Sequence, residues 1–354
     1  MRHLLTLLLL AIPLALVARL LHWPAPAVFA LSGLAIVPLA KWIGTATEHL
    51  AVHVGPSLGG LLNATFGNAT ELIIALFALR VGLVEVVKPS ITGSIIGNVL
   101  FVLGLALLLG GWGRDKQTFN RTAAGVGATQ LTLAVIGLLI PAAFAHTLRT
   151  TNVGQRAFLE EEVSIVVAAL LILSYLLGLL FSLRTHTHLY AAEEEEAMHG
   201  TIWSRSRSLA VLLAATVGVA VMSETLVHSL EDAVKVLGWS DIFVGVILVP
   251  IIGNAAEHLT AVTVAMKNKM DLSLGIALGS STQIALFVAP LLVLLSLQFS
   301  RHMNLLFNPF ELVAIGLAVF IANLIAGDGE STWYEGVQLL LAYAIVAIAF
   351  FFHD

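Results

Sequence analysis

The 354-residue chain contains no cysteine and little charge: only 11% of its residues are Asp, Glu, Lys or Arg, against roughly 25% in ordinary soluble domains. The missing cysteine excludes a disulfide scaffold, thiol catalysis, iron–sulfur clusters and cysteine zinc sites. Lys and Arg number 17 against 22 Asp and Glu, a net charge of −5. With no basic stripe, this argues against a nucleic-acid partner. Loops long enough for a soluble domain are also missing. What is abundant is apolar: 58% of the residues are hydrophobic. A water-soluble fold of this length needs more surface charge, so the chain reads as an all-α polytopic membrane protein whose partner is the lipid bilayer. Each span then needs about 20 apolar residues.

Hydropathy predicts eleven helices, near 4–21, 25–45, 58–80, 90–111, 123–145, 163–183, 208–228, 242–266, 272–296, 308–327 and 332–352. The alternation of a membrane β-strand is absent. Arg2 and His3 precede a leucine run that resembles a signal peptide. The run ends in Arg19 with no clean small-residue cleavage site after it, so a retained first helix is expected.

The one long polar segment, 184–207, holds Glu193, Glu194, Glu195 and Glu196 between Arg184 and Arg205. It reads either as a solvated connector or as a surface helix that gathers cations. Ten of the 17 Lys and Arg fall on the side of the N-terminus. This modest bias places the N-terminus and the acidic linker in the cytoplasm.

The chain also matches itself. Residues 67–71 read GNATE and residues 253–257 read GNAAE, an offset of 186. At the same offset Gly93-Ser94 meets Gly279-Ser280, and Leu100-Phe101-Val102 meets Leu286-Phe287-Val288. Ten of 38 aligned positions from residue 67 are identical, clustered in two blocks. Thr47-Glu48 and Ser223-Glu224 add a further match near the ends of spans 2 and 7. The domains expected are an N-terminal helix (1–24), a first five-helix repeat (25–183), the acidic linker (184–207) and a second five-helix repeat (208–354). Five is odd, so the halves cross the membrane in opposite directions. This is the inverted-repeat plan of secondary transporters, with the site at the midplane.

Glu71 and Glu257 fall near the middle of their spans, where a carboxylate must be paired, protonated or bound to a cation. No lysine or arginine lies at matching depth in any span. Asn68 and Asn254 stand three residues earlier, on the same helix face. Gly67 and Gly253 weaken the helix there, predicting either a break or tight packing. Two carboxylates, two amide oxygens, carbonyls and water make the all-oxygen set that Ca²⁺ prefers. Loss of the metal favours protonation, and protonation expels the metal, which is the simplest coupling for an exchanger. No cofactor is expected; Ca²⁺ and H⁺ are substrates.

A second tier of polar residues lies inside spans. Ser94, Asn98, Ser280, Ser281, Thr282 and Gln283 follow the glutamate helices, with Gln130 and Asn323 further on. They either line the cation path or simply allow close helix packing. Glu48 and Glu224 read as relays at the cavity mouths, whereas Asp328, Glu330 and Glu335 read as a wet loop. His49 and His53 have metal-clamping spacing but no third ligand, and His258 reads as a packing or tuning residue. An enzyme is not expected, because neither HExxH nor a GxSxG elbow is present.

At Gly67–Leu72, Gly253–His258, Gly279–Gln283 and Trp333–Gln338 (WYEGVQ) the sequence resembles the Ca²⁺/cation–proton antiporter (CAX) family of the cation/Ca²⁺ exchanger superfamily. The resemblance covers nearly the whole chain. It implies eleven spans, a first helix outside the repeats and an acidic cytosolic helix between spans 6 and 7, matching Glu193–Glu196. It further implies that Glu71 and Glu257 bind Ca²⁺ and exchange it for H⁺, that Asn68 and Asn254 assist, and that the chain forms oligomers. The autoinhibitory tail of plant members has no counterpart, which points to a prokaryotic plasma membrane. The alternative reading is a Na⁺(K⁺)/H⁺ antiporter using the same site.

Overall fold

The computed structural model describes residues 6–149, 152–189 and 202–353. The quartet Glu193–Glu196 lies outside the described residues. The helices are α1 (Ala11–Leu20), α2 (Ala25–Val54), α3 (Pro56–Phe66), α4 (Ala69–Arg80) and α5 (Val84–Gly111), then α6 (Arg121–Thr147) and α7 (Val153–Thr185). After the linker come α8 (Arg205–Leu237), α9 (Asp241–Met266), α10 (Met270–Ser296), α11 (Pro309–Asp328) and α12 (Trp333–Phe351). Among the described residues, nine of these are long and apolar enough to cross a membrane. The other two predicted spans are the short α1 and the interrupted pair α3–α4. The chain is an all-α multi-pass membrane protein.

Local chemistry sets the helix ends. The side-chain oxygens of Asn120, Asn152, Ser204 and Ser240 accept backbone N–H bonds at the starts of α6, α7, α8 and α9. Asn308 and Glu311 form a capping box on α11, which accounts for a buried carboxylate that hydropathy alone does not explain. Gly238 ends α8 in the left-handed region, at φ 67°.

Contacts divide the chain into two compact units. The first unit comprises residues 1–90, 198–257 and 349–354. Here α2 lies along α8, and α4 packs on α8. Leu39 sits against Gly218, and Arg205 Nη2 donates to the His53 carbonyl, so residue numbers fall along α8 as they rise along α2. The two helices are antiparallel, as the first helices of inverted halves must be. Ser32, Ile36, Leu39, Ile43 and Thr47 form the buried stripe of α2, and Ser208, Leu212, Ala215, Val219 and Met222 that of α8. α1 leans on both, with Arg19 Nη1 donating to Thr225 Oγ1 at 3.2 Å.

The second unit comprises residues 91–197 and 258–348. α6 packs on α7, α10 and α11, and α7 packs on α10. Asn323 Nδ2 donates to Thr132 Oγ1 at 3.0 Å, tying α11 to α6. A two-residue ribbon pairs β1 (Gln117–Thr118) with β2 (Glu330–Ser331). Beside it Lys116 and Glu330 form an exposed ion pair at 2.6 Å, which raises the Lys116 pKa. Arg114 bonds the carbonyls of Gly110 and Met266 and so caps the ends of α5 and α9. The loop acids are thus employed: Glu335 Oε2 accepts from Thr332 N at 2.6 Å, while Asp328 stays exposed.

Two helices contain π-helical turns at equivalent places: Gly97–Val102 in α5 and Ile284–Val288 in α10. Both fall in the second block of the internal repeat. Such turns admit an extra residue and re-aim side chains.

The WYEGVQ stretch acquires a packing role. A Cβ on Gly336 falls 2.7 Å from the Gly104 carbonyl oxygen, so α12 crosses α5 backbone to backbone. Gly336→Ala is expected to lower the thermal midpoint in detergent measurably, since overpacking typically costs ~1–3 kcal/mol. An unchanged midpoint contradicts this crossing.

Candidate cation site

The first glutamate is presented by a break. α3 ends at Phe66, Gly67 is still helical, and Asn68 leaves the helix with φ −100° and ψ 26°. The predicted continuous span 58–80 is therefore two helices. The reason is local: Gly67 has low helix propensity, and an asparagine next to it readily adopts a cap conformation. The consequence is chemical, because Glu71 now sits in the first turn of α4, where the helix dipole favours an anion.

The second glutamate is presented differently. α9 runs unbroken from Val249 through Gly253 to Met266. Its one irregularity, a π-helical turn, lies earlier, at Val244–Leu248. Gly253 serves as a gap instead. A Cβ there falls 3.2 Å from Glu71 Cγ and 3.3 Å from Glu71 Oε1. Of the two outcomes expected at the glycines, the first half shows the break and the second shows tight packing.

The residues so assembled are Glu71, Glu257, Asn68 and Asn254, all in the first unit. Asn68 and Asn254 are buried, and Asn254 Nδ2 donates to Pro250 O at 3.0 Å. The Glu257 carboxyl lies within electrostatic reach of Glu71. Glu71 faces its own backbone amide. Neither of its buried oxygens makes a hydrogen bond of good geometry among the described residues. A buried carboxylate in that condition is costly unless a proton or cation joins it. Carboxylate and amide oxygens are hard donors, suited to a hard cation such as Ca²⁺.

In the second unit, Asn98 Nδ2 donates to Ser280 Oγ at 3.0 Å, and His258 Nε2 meets Asn98 Oδ1 at 3.0 Å. Gln283 Nε2 donates to the Tyr175 hydroxyl at 2.9 Å. Ser94, Ser281 and Thr282 are buried, and Gln130 packs over Gly178. Tyr175 escapes a reading of the sequence; its only signal is a tyrosine inside an apolar span.

Glu48 and Glu224 stand on exposed faces of α2 and α8. His49 and His53 engage Trp203 rather than each other. The His49 ring stacks on the indole at 4.5 Å, and His53 Nε2 meets the Trp203 carbonyl at 2.6 Å.

The family model described as sodium/calcium exchanger protein matches residues 24–184 and 207–352. A Ca²⁺/H⁺ antiporter of Aphanothece halophytica is 50% identical over 360 residues, covering 98% of this chain and 95% of the relative. The Ca²⁺/H⁺ antiporter ChaA of Bacillus subtilis is 45% identical over 345 residues, covering 96% of each. The solved structure of native YfkE aligns with a TM-score of 0.84 at 40% identity, covering 99% of this chain and 100% of that one.

The gap at Gly253 makes a specific expectation. Gly253→Ala crowds the Glu71 side chain and should weaken equilibrium Ca²⁺ binding ~5- to 10-fold, as overpacking by one methyl costs on the order of 1 kcal/mol. Unchanged affinity in a folded variant removes Glu71 from the cation's surroundings.

Proposed function

The chain belongs to the sodium/calcium exchanger protein family, and from that premise we propose that it exchanges Ca²⁺ for H⁺ across a bacterial plasma membrane. It is a transporter rather than an enzyme. Relatives that carry the name Ca²⁺/H⁺ antiporter, over nearly their full length, support the substrate pair.

The observation that carries the reading is the Glu71 carboxylate: buried, without a well-formed hydrogen bond, and pressed against the gap at Gly253 one turn before Glu257. The site cannot stay bare in a low-dielectric setting. In the loaded state Glu71 and Glu257 hold Ca²⁺, with Asn68 and Asn254 supplying further oxygens. In the return state the same carboxylates hold protons. Each form excludes the other, and this exclusion couples the two flows. Alternating access by the inverted halves then exposes the site to one side at a time. The N-terminus and acidic linker face the cytoplasm, as the Lys and Arg bias suggests.

Proteoliposomes with an imposed pH gradient test this. Ca²⁺ movement opposite to proton movement is expected. Glu71→Gln and Glu257→Gln should each reduce it to ~1% or less while the protein still folds, since an amide supplies no charge to offset the cation. Ca²⁺ entry should also slow as pH falls on the loading side. Exchange that survives in either variant, or that follows Na⁺ or K⁺ but not Ca²⁺, contradicts the proposal.

A further inference from the structure

A polar ring is held at or beside the π-helical turns of both α5 and α10, and the two arrangements share one repeat-equivalent residue, a phenylalanine. In α5, Asn98 Oδ1 accepts from His258 Nε2 at 3.0 Å, and Phe101 packs edge-on against the same ring at 6.3 Å. In α10, Gln283 Nε2 donates to Tyr175 Oη at 2.9 Å, and Phe287 stacks on the same ring at 5.1 Å. Phe101 and Phe287 are partners at the offset of 186. Each clamp is therefore a carboxamide and a phenylalanine in or beside a π-helical turn. Each grips a ring from the opposite half of the sequence: His258 belongs to the second half, Tyr175 to the first. All six residues lie in the second unit.

We infer that Asn98 and Gln283 are positioning residues, which fix the helices of the two halves by holding His258 and Tyr175. This rests on the function proposed above. The Asn98 carboxamide is committed on both sides, to His258 and to Ser280 on α10. A carbonyl oxygen only accepts, so it selects the His258 tautomer with the proton on Nε2 and sets the ring's orientation. His258 follows Glu257 in one helix. Fixing the ring therefore fixes the rotation of α9 that aims Glu257. Gln283 acts likewise on α7 through Tyr175.

The test is a pair of double-mutant cycles on the full-length transporter in proteoliposomes, reading KM for Ca²⁺ and turnover at saturating Ca²⁺. Asn98→Ala and Gln283→Ala should each raise KM ~5- to 10-fold, the scale of one lost buried hydrogen bond, with turnover within ~2-fold. Asn98→Ala should cost clearly less in a His258→Ala background than in the wild type, the remainder being its bond to Ser280, and Gln283→Ala should add nothing further after Tyr175→Phe, which keeps the ring and removes only the hydroxyl. Losses that multiply, as they do when the carboxamides touch the cation independently, overturn the inference, and so does an unchanged KM. If one clamp's variants do not fold, the other cycle decides. A wild-type protein that moves no Ca²⁺ against H⁺ overturns the proposed function and this inference with it. Wild-type exchange with uncoupled variants overturns this inference alone.

Discussion

A carboxylate that is out of water and without a well-formed hydrogen bond governs the rest of the structure. Glu71 is in that position. The bare charge is worth several kcal/mol of penalty at membrane depth, so the protein is stable with the site protonated or occupied and resists it empty. The exclusive exchange proposed above rests on that constraint. The surrounding devices serve it: a broken helix puts the dipole of α4 behind Glu71, and a glycine on α9 leaves room for its side chain.

The two halves meet the same requirement by different means. Asn68 interrupts the first glutamate helix, whereas the second is continuous and is irregular earlier, at Val244–Leu248. The repeat is thus a repeat of chemistry more than of backbone. The compact units also differ from the sequence repeats, because each gathers equivalent spans from both halves. α2 and α8 pack antiparallel through two mainly aliphatic buried stripes, so the first spans of the two halves meet in opposite directions.

Much of this was legible in the sequence, and the limits have physical causes. Span positions were readable because an apolar run of fixed length is all the bilayer demands. Glu71, Glu257 and their asparagines stood out because charge at depth is rare. The interruption at Asn68 was half visible, since a glycine signals either a break or a close approach and only the partner helix decides which. The π-helical turns were invisible, as apolar runs conceal a single extra residue per turn. For that reason Asn98 read either as a cation-lining or as a packing residue, and its bonds to His258 and Ser280 were not foreseen. His49 and His53 illustrate the converse: their metal-like spacing is used to hold Trp203.

In the function proposed here one pair of carboxylates holds either Ca²⁺ or protons. Calorimetric titration of the purified protein with Ca²⁺, in buffers of different ionisation enthalpy, measures that exchange at equilibrium. Ca²⁺ binding should release protons, affinity should fall as pH is lowered, and replacing Glu71 and Glu257 by Gln should remove both. Ca²⁺ binding with no proton release at any pH, or undiminished release in the double variant, contradicts it.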